Sequence, residues 1–288
     1  MTSSMFLRRL RPAAGRAALA LITALSVRFA LATDMPVVVH GELKGSWTVP
    51  DGPWDGRAVL VLHGFADDMD GAGDLNKHLA NVLASRGIAS LRINFRGEGD
   101  RHRTVIESTF LTRIADTEIA YEFLIRQPGV KPEHLGCMGW SLGGATELEI
   151  LGKHPTWFRS GVVWSTPTGD LEKFIMTMPG AEEAVRKGVS TYDAGWKKIT
   201  TYRAFYESFR GINLNRSIAK YPGALLAVRG SEDFVPNGDA DLMKHAPGSP
   251  REAVLIGGAD HIFNVFEPQK GMAEHAVQVT ADWLGRTL

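Results

Sequence analysis

The sequence predicts an α/β fold in which a mostly parallel central sheet is flanked by helices and carries a small helical cap insertion. Three observations lead there. Short apolar runs alternate with segments of helical period, a glycine-flanked serine stands at a strand-to-helix junction, and the alternation stops over one long stretch, residues 169–220. With 288 residues, 44% hydrophobic and 22% charged, the chain has the composition of an ordinary globular protein.

The first 32 residues read apart from the rest. Arg8, Arg9, Arg11 and Arg16 form a basic start, Ala17 to Val27 is an apolar run, and Ala30-Leu31-Ala32 is a small-x-small cleavage pattern. That is the layout of a secretory signal peptide, so segment 1–32 is expected to be removed on export to the periplasm or the medium. The apolar run is shorter than the roughly 20 residues that span a bilayer, and no stable membrane span is expected after removal. The Arg8-Arg9 pair keeps twin-arginine export open beside the general route. An amphipathic start or an uncleaved anchor is the alternative.

Residues 33–288 read as one domain. Two extended runs, Val37 to His40 and Gly45 to Val49, suggest an antiparallel lead-in. Ala58 to Leu62, Ala89 to Phe95, Leu135 to Met138, Gly161 to Trp164, Ala224 to Val228 and Ala253 to Ile256 are apolar enough to be strands buried on both faces. Helical period fills the gaps: Leu75 to Leu83, closed by Gly87, then Phe110 to Ile125, and finally Met272 to Leu284. Between about Gly169 and Lys220 no buried strand is apparent. This stretch is helical in look and rich in large apolar side chains, among them Phe174, Met176, Met178, Trp196, Tyr202, Phe205 and Phe209. An insertion at that point suggests a cap over the C-terminal ends of the strands, where α/β sheets bind ligands. Ordinary helix packing against the sheet is the plainer alternative.

Several function classes are disfavoured. Lys+Arg and Asp+Glu both number 32, so no charge excess points to nucleic acid or an anionic surface. Cys137 is the single cysteine and sits in the apolar run Leu135-Gly136-Cys137-Met138, which suits a small buried hydrophobe better than a nucleophile. No metal-ligand spacing occurs, and Gly97-Glu98-Gly99 lacks the third glycine of a dinucleotide fingerprint. No cofactor is expected.

The strongest local signal is Gly139-Trp140-Ser141-Leu142-Gly143-Gly144, between an apolar strand and a helical run reaching Lys153. A nucleophilic serine must stand clear of the backbone on a sharp strand-to-helix turn. Only small residues fit two positions on either side, which accounts for Gly139 and Gly143. Serine also needs a base to take its proton and an acid to orient that base, in the chain order serine, acid, histidine. Asp233 and His261 meet the order, each in a loop after a strand. Glu232, Asp170 and Asp260 remain open as the acid. The oxyanion that forms on acyl transfer needs preorganised N–H donors. Leu142, after the serine, is one, and Phe65, in the loop Leu62-His63-Gly64-Phe65, is the other. His63 is read as holding that loop.

These segments carry a resemblance. With Asn94 to Asp100 (N-F-R-G-E-G-D), Gly230 to Pro236 (G-S-E-D-F-V-P) and Gly258 to Phe263 (G-A-D-H-I-F), they occur in the order found in the α/β-hydrolase superfamily. Within it the chain resembles the group of monoacylglycerol-lipase-like and cinnamoyl (feruloyl) esterase-like enzymes, from about residue 55 to its end. That resemblance implies the same roles for Ser141, Asp233, His261, Phe65 and Leu142. Asn94 and Arg101 depart from it, since aspartate and serine are usual there. The expected activity is that of a serine carboxylesterase on small or medium acyl or aryl esters, with a small-molecule ester as its partner. Another acyl bond (thioester, lactone or peptide N-terminus) is the first alternative, and a non-catalytic binding protein on a hydrolase scaffold is the second. Acyl and alcohol specificity and oligomeric state are not specified by the sequence.

Overall fold

In the computed structural model the described residues are 32–288, so the proposed export segment 1–32 lies outside them except for Ala32. The lead-in forms the hairpin β1 (Ala32–His40) and β2 (Leu43–Pro50), followed by β3 (Ala58–Leu62), α1 (Leu75–Ser85), β4 (Ala89–Asn94) and the short β5 (Val105–Ile106). Next come α2 (Phe110–Leu124), β6 (Leu135–Trp140), α3 (Leu142–Lys153) and β7 (Ser160–Trp164). The insertion holds α4 (Leu171–Ile175), α5 (Ala181–Lys187), β8 (Val189–Asp193), β9 (Lys198–Tyr202), α6 (Arg203–Glu207) and α7 (Leu214–Ile218). The chain then returns to the sheet with β10 (Ala224–Gly230), α8 (Asp239–His245), β11 (Arg251–Ile256) and α9 (Met272–Thr287).

Eight strands make the central sheet in the order β1-β2-β4-β3-β6-β7-β10-β11. The β1–β2 and β2–β4 pairs are antiparallel, and all others are parallel. Successive side chains of a strand face opposite sides, and β3 shows the result. Leu60 and Leu62 pack into the layer of α2 and α3, while Val59 and Val61 pack with Leu79 and Leu83 of α1 and Ala281 and Leu284 of α9. Both faces are therefore covered, as the uninterrupted apolar runs require. Helix α2 starts on a reciprocal cap, with Thr109 Oγ accepting from Thr112 N–H at 3.1 Å and Thr112 Oγ from Thr109 N–H at 2.8 Å. On β4 the buried Arg92 pairs with Asp34 of β1 and with Asp70, tying the first hairpin to the sheet.

The insertion differs from the all-helical reading. Besides four short helices it contains the hairpin β8–β9, and β9 pairs in parallel with β5 to give a separate three-stranded sheet. Thr191, Tyr192 and Ile199 to Tyr202 are strand formers on either side of a turn at Gly195, whose φ is +88°. Phe205 and Phe209 are buried with Phe110 in the same layer as α2 and α3, so they serve the core, whereas Trp196 is 61% exposed. Among the described residues no helix is long and apolar enough to cross a membrane.

Candidate active site

Strand β6 ends at Trp140 and α3 begins at Leu142, leaving Ser141 alone on the bend at φ +55° and ψ −117°. That backbone conformation costs on the order of 1–3 kcal/mol and persists only where its surroundings fix it. Here Ser141 N–H donates to the Trp164 carbonyl of β7 at 2.7 Å, and Ala145 N–H returns to the Ser141 carbonyl at 3.1 Å. The flanking glycines are required by contact. A Cβ on Gly139 would overlap the Gly143 carbonyl, and one on Gly143 would overlap the Leu62 and His63 carbonyls of the next strand end.

Asp233 follows β10 and His261 follows β11, and the structure brings both to Ser141. His261 Nδ1 lies 2.7 Å from Asp233 Oδ1, and Nε2 lies 3.1 Å from Ser141 Oγ. Beside an ionised carboxylate Nδ1 carries the proton and donates, which leaves the Nε2 lone pair to accept from the serine hydroxyl. The Asp233 side chain is 1% exposed. Burial works against its ionisation, but the His261 hydrogen bond, the Val235 N–H and the Arg229 guanidinium together hold its carboxyl below the usual range. Arg229, also buried, donates to Asp233 Oδ2 at 3.1 Å, to both oxygens of Asp239 at 2.9 Å and to the Val235 and Thr166 carbonyls.

The other acidic candidates are engaged elsewhere or apart. Asp170 caps α4 through Lys173 N–H at 3.0 Å, Asp260 accepts from the N–H groups of Ile262 and Asn264, and Glu232 is exposed. Phe234, 76% exposed, lies over the His261 ring with centroids 4.4 Å apart.

The loop after β3 borders the serine. A Cβ placed on Gly64 would lie 3.5 Å from Ser141 Cβ, in ordinary contact, so the loop backbone runs directly beside the serine. His63 is fully buried and neutral: burial pushes its pKa down to about 4, helped by the Arg113 charge. Its Nδ1 donates to the Gly64 carbonyl at 2.7 Å, and its Nε2 accepts from Phe95 N–H at 3.2 Å. A buried ion pair, Glu98 with Arg113, grips the same loop. Glu98 accepts from Ala66 N–H at 3.0 Å, and Arg113 donates to the His63 carbonyl. No hydrogen bond among the described residues uses the N–H of Phe65 or of Leu142. Asn94 Oδ1 accepts from Met69 N–H at 2.7 Å, and Arg101 pairs with Asp68 and Asp74, so both departures from the family pattern serve to hold the neighbouring loop.

Sequence reasoning missed Arg229, Glu98 and Arg113. Arg229 left a trace, a charged residue ending the apolar strand Ala224 to Val228 just before the acid loop. The partners of Glu98 and Arg113 lie elsewhere in the chain and leave no local mark. Cys137 is buried, and burial pushes its thiol well up. The described residues contain no group of three or more His, Cys, Asp or Glu that could hold a metal ion.

Chemically, the cluster can move a proton from the serine hydroxyl to an imidazole stabilised by a buried carboxylate. Known proteins resemble the chain in sequence and in fold. The uncharacterized protein YfhR of Escherichia coli strain K12 is 24% identical over 226 residues, covering 77% of this chain and 69% of that protein. Dipeptidyl aminopeptidase BIII of Pseudoxanthomonas mexicana is 31% identical over 164 residues, covering 51% of this chain but only 23% of that enzyme. The structure of Est1E from Butyrivibrio proteoclasticus with ferulic acid bound superposes with a TM-score of 0.63 at 16% identity, covering 85% of this chain and 98% of Est1E. Residues 74–239, more than half of the chain and inclusive of Ser141 and Asp233, match the prolyl oligopeptidase family. The chain is an α/β-hydrolase and belongs to the prolyl oligopeptidase family.

Proposed function

We propose that Ser141 is the nucleophile of a carboxylesterase that cleaves small or medium acyl and aryl esters through an acyl-enzyme. One observation carries the reading: the continuous line from Asp233 through His261 to Ser141, with separations of 2.7 and 3.1 Å. His261 takes the hydroxyl proton as Ser141 Oγ attacks the ester carbonyl, then delivers that proton to the departing alcohol oxygen. The N–H groups of Phe65 and Leu142 receive the oxyanion, a role in which loss of one donor costs about 10²–10³ in kcat. Water, deprotonated by His261, attacks the acyl-enzyme and releases the acid. The exposed Phe234 ring beside His261 and the likeness to Est1E support an aryl or apolar ester as substrate.

A peptide substrate is the second reading, favoured by the family match and by the likeness to dipeptidyl aminopeptidase BIII. The test is a panel of p-nitrophenyl esters of graded acyl length, a ferulate ester and dipeptidyl p-nitroanilides, run with wild type and Ser141→Ala. Ester turnover that vanishes in the folded variant supports the proposal. Turnover of the anilides alone moves the activity to the peptide reading, and turnover retained by the variant rejects Ser141.

The layout of residues 1–32 also supports export. Mature protein recovered from outside the cytoplasm should begin at Thr33, and a retained, uncleaved N-terminus there would contradict this.

A further inference from the structure

Lys197 stands in the turn between β8 and β9, inside the insertion, yet its ammonium is spent outside it. It donates to three main-chain carbonyls: Ala66 at 2.6 Å, Arg103 at 3.0 Å and Arg101 at 3.1 Å. An ammonium has three N–H donors, and all three go to the two loops that follow β3 and β4. The carboxylates of Asp67, Asp100, Glu98 and Asp68 surround it as charges, and Trp196 lies against it with the nitrogen 4.6 Å from the ring centroid.

Ala66 follows Phe65 and is itself strained, at φ +55°, a conformation that costs an L residue free energy and persists where its surroundings hold it. Its N–H is held by Glu98 and its carbonyl by Lys197. Upstream, Arg113 and His63 hold the carbonyls of His63 and Gly64. Three of these four constraints come from the sheet and α2 side of the molecule. The fourth comes from the insertion, which also sets Phe205 against Phe65 with ring centroids 5.1 Å apart. Releasing the Ala66 carbonyl lets that residue relax to an ordinary φ. The Phe65 N–H belongs to the Gly64–Phe65 peptide, one unit upstream, whose Gly64 carbonyl His63 holds, so a shift of Ala66 reaches that amide through the Phe65 Cα and loosens its placement beside Ser141.

We propose that Lys197 is a positioning residue for acyl transfer: by gripping the Ala66 carbonyl it keeps the Phe65 amide aimed at the oxyanion and makes activity depend on the docked insertion. The proposal rests on the reading of Ser141 as nucleophile and Phe65 as oxyanion donor.

The experiment compares wild type, Lys197→Met and Lys197→Cys, the last before and after alkylation with 2-bromoethylamine. Alkylation rebuilds an ammonium of equal reach with sulfur in place of a methylene, and the native Cys137 is buried out of range. Readouts are kcat and KM on a p-nitrophenyl ester, the affinity for an aryl boronic acid that forms a tetrahedral adduct on serine, and the affinity for the carboxylic acid product. In both unalkylated variants kcat should fall about tenfold or more while KM stays within about twofold. Boronate affinity should fall in step with kcat, product affinity should not move, and alkylation should restore both losses. Variants that melt earlier but keep wild-type kcat and boronate affinity at 20 °C would overturn the proposal, as would loss of activity that alkylation leaves unrestored. A wild type that fails to react with the boronate or a fluorophosphonate at Ser141 would instead remove the reading beneath it.

Discussion

Arg229 joins three groups close to His261 and the end of β7: Asp233, the loop carbonyl of Val235, and the carbonyl of Thr166. Removing one member of a buried ion pair leaves the other charge stranded, at a cost of about 3–5 kcal/mol. Arg229→Met should lose stability on that scale in denaturant unfolding, and an unchanged midpoint would show that Asp233 and Asp239 do not depend on it. Asp67 gives a second residue-scale expectation. Burial, with the neighbouring Asp68 charge, pushes its carboxyl up from 3.8 to about 6. The folded chain therefore holds a proton there that the unfolded chain gives up. Its favourable contribution is complete below about pH 4 and is lost as pH rises through about 6. Asp67→Asn should raise the melting temperature near pH 7.5 and leave it unchanged near pH 4; an equal shift at both would contradict the assignment. Ser141, Asp233 and His261 were readable in the sequence because their order and their places after strands are local facts. The grip of Glu98 on Ala66 and of Arg113 on the His63 carbonyl was not, since nothing at either position names a partner 32 or 50 residues away.

The strand-to-helix elbow works as an element only if α3 can approach β3. Gly143 lies under the Leu62 and His63 carbonyls, so Gly143→Ala must push the helix and the loop carrying Phe65 apart. Overpacking of this kind costs about 1–3 kcal/mol. The variant should unfold earlier and lose ester turnover, while Gly285→Ala, with no atom near its Cβ position, should do neither. Equal behaviour of the two variants would contradict the close-approach account. The hairpin β8–β9 shows where element reading failed. Its strand formers, Thr191, Tyr192, Ile199, Thr200 and Thr201 around Gly195, were present, but half of the hairpin is exposed and gives no apolar run. Of the aromatic residues nearby, Phe205 and Phe209 fill the core, as the plainer alternative of packing against the sheet expects.

At the scale of the molecule, the parallel sheet was legible because strands covered on both faces must be apolar throughout, as Ala58 to Leu62 are. The insertion does not form a core of its own. Leu171, Ile175, Phe205, Phe209, Leu214 and Ile218 share one continuous cluster with Leu60, Phe110 and Leu148. Calorimetry of residues 33–288 should therefore give a single transition, and a separate early transition removed by deleting the insertion would contradict that continuity. The same architecture carries the loops after β6, β10 and β11 to one edge, where a hydroxyl, an imidazole and a carboxylate meet. Fluorophosphonate labelling followed by peptide mapping tests that convergence most directly. The label should fall on Ser141 in wild type, be absent from Ser141→Ala and be slowed by about 10³-fold or more in His261→Ala. A label on another serine, or one that reacts as fast without His261, would contradict the account.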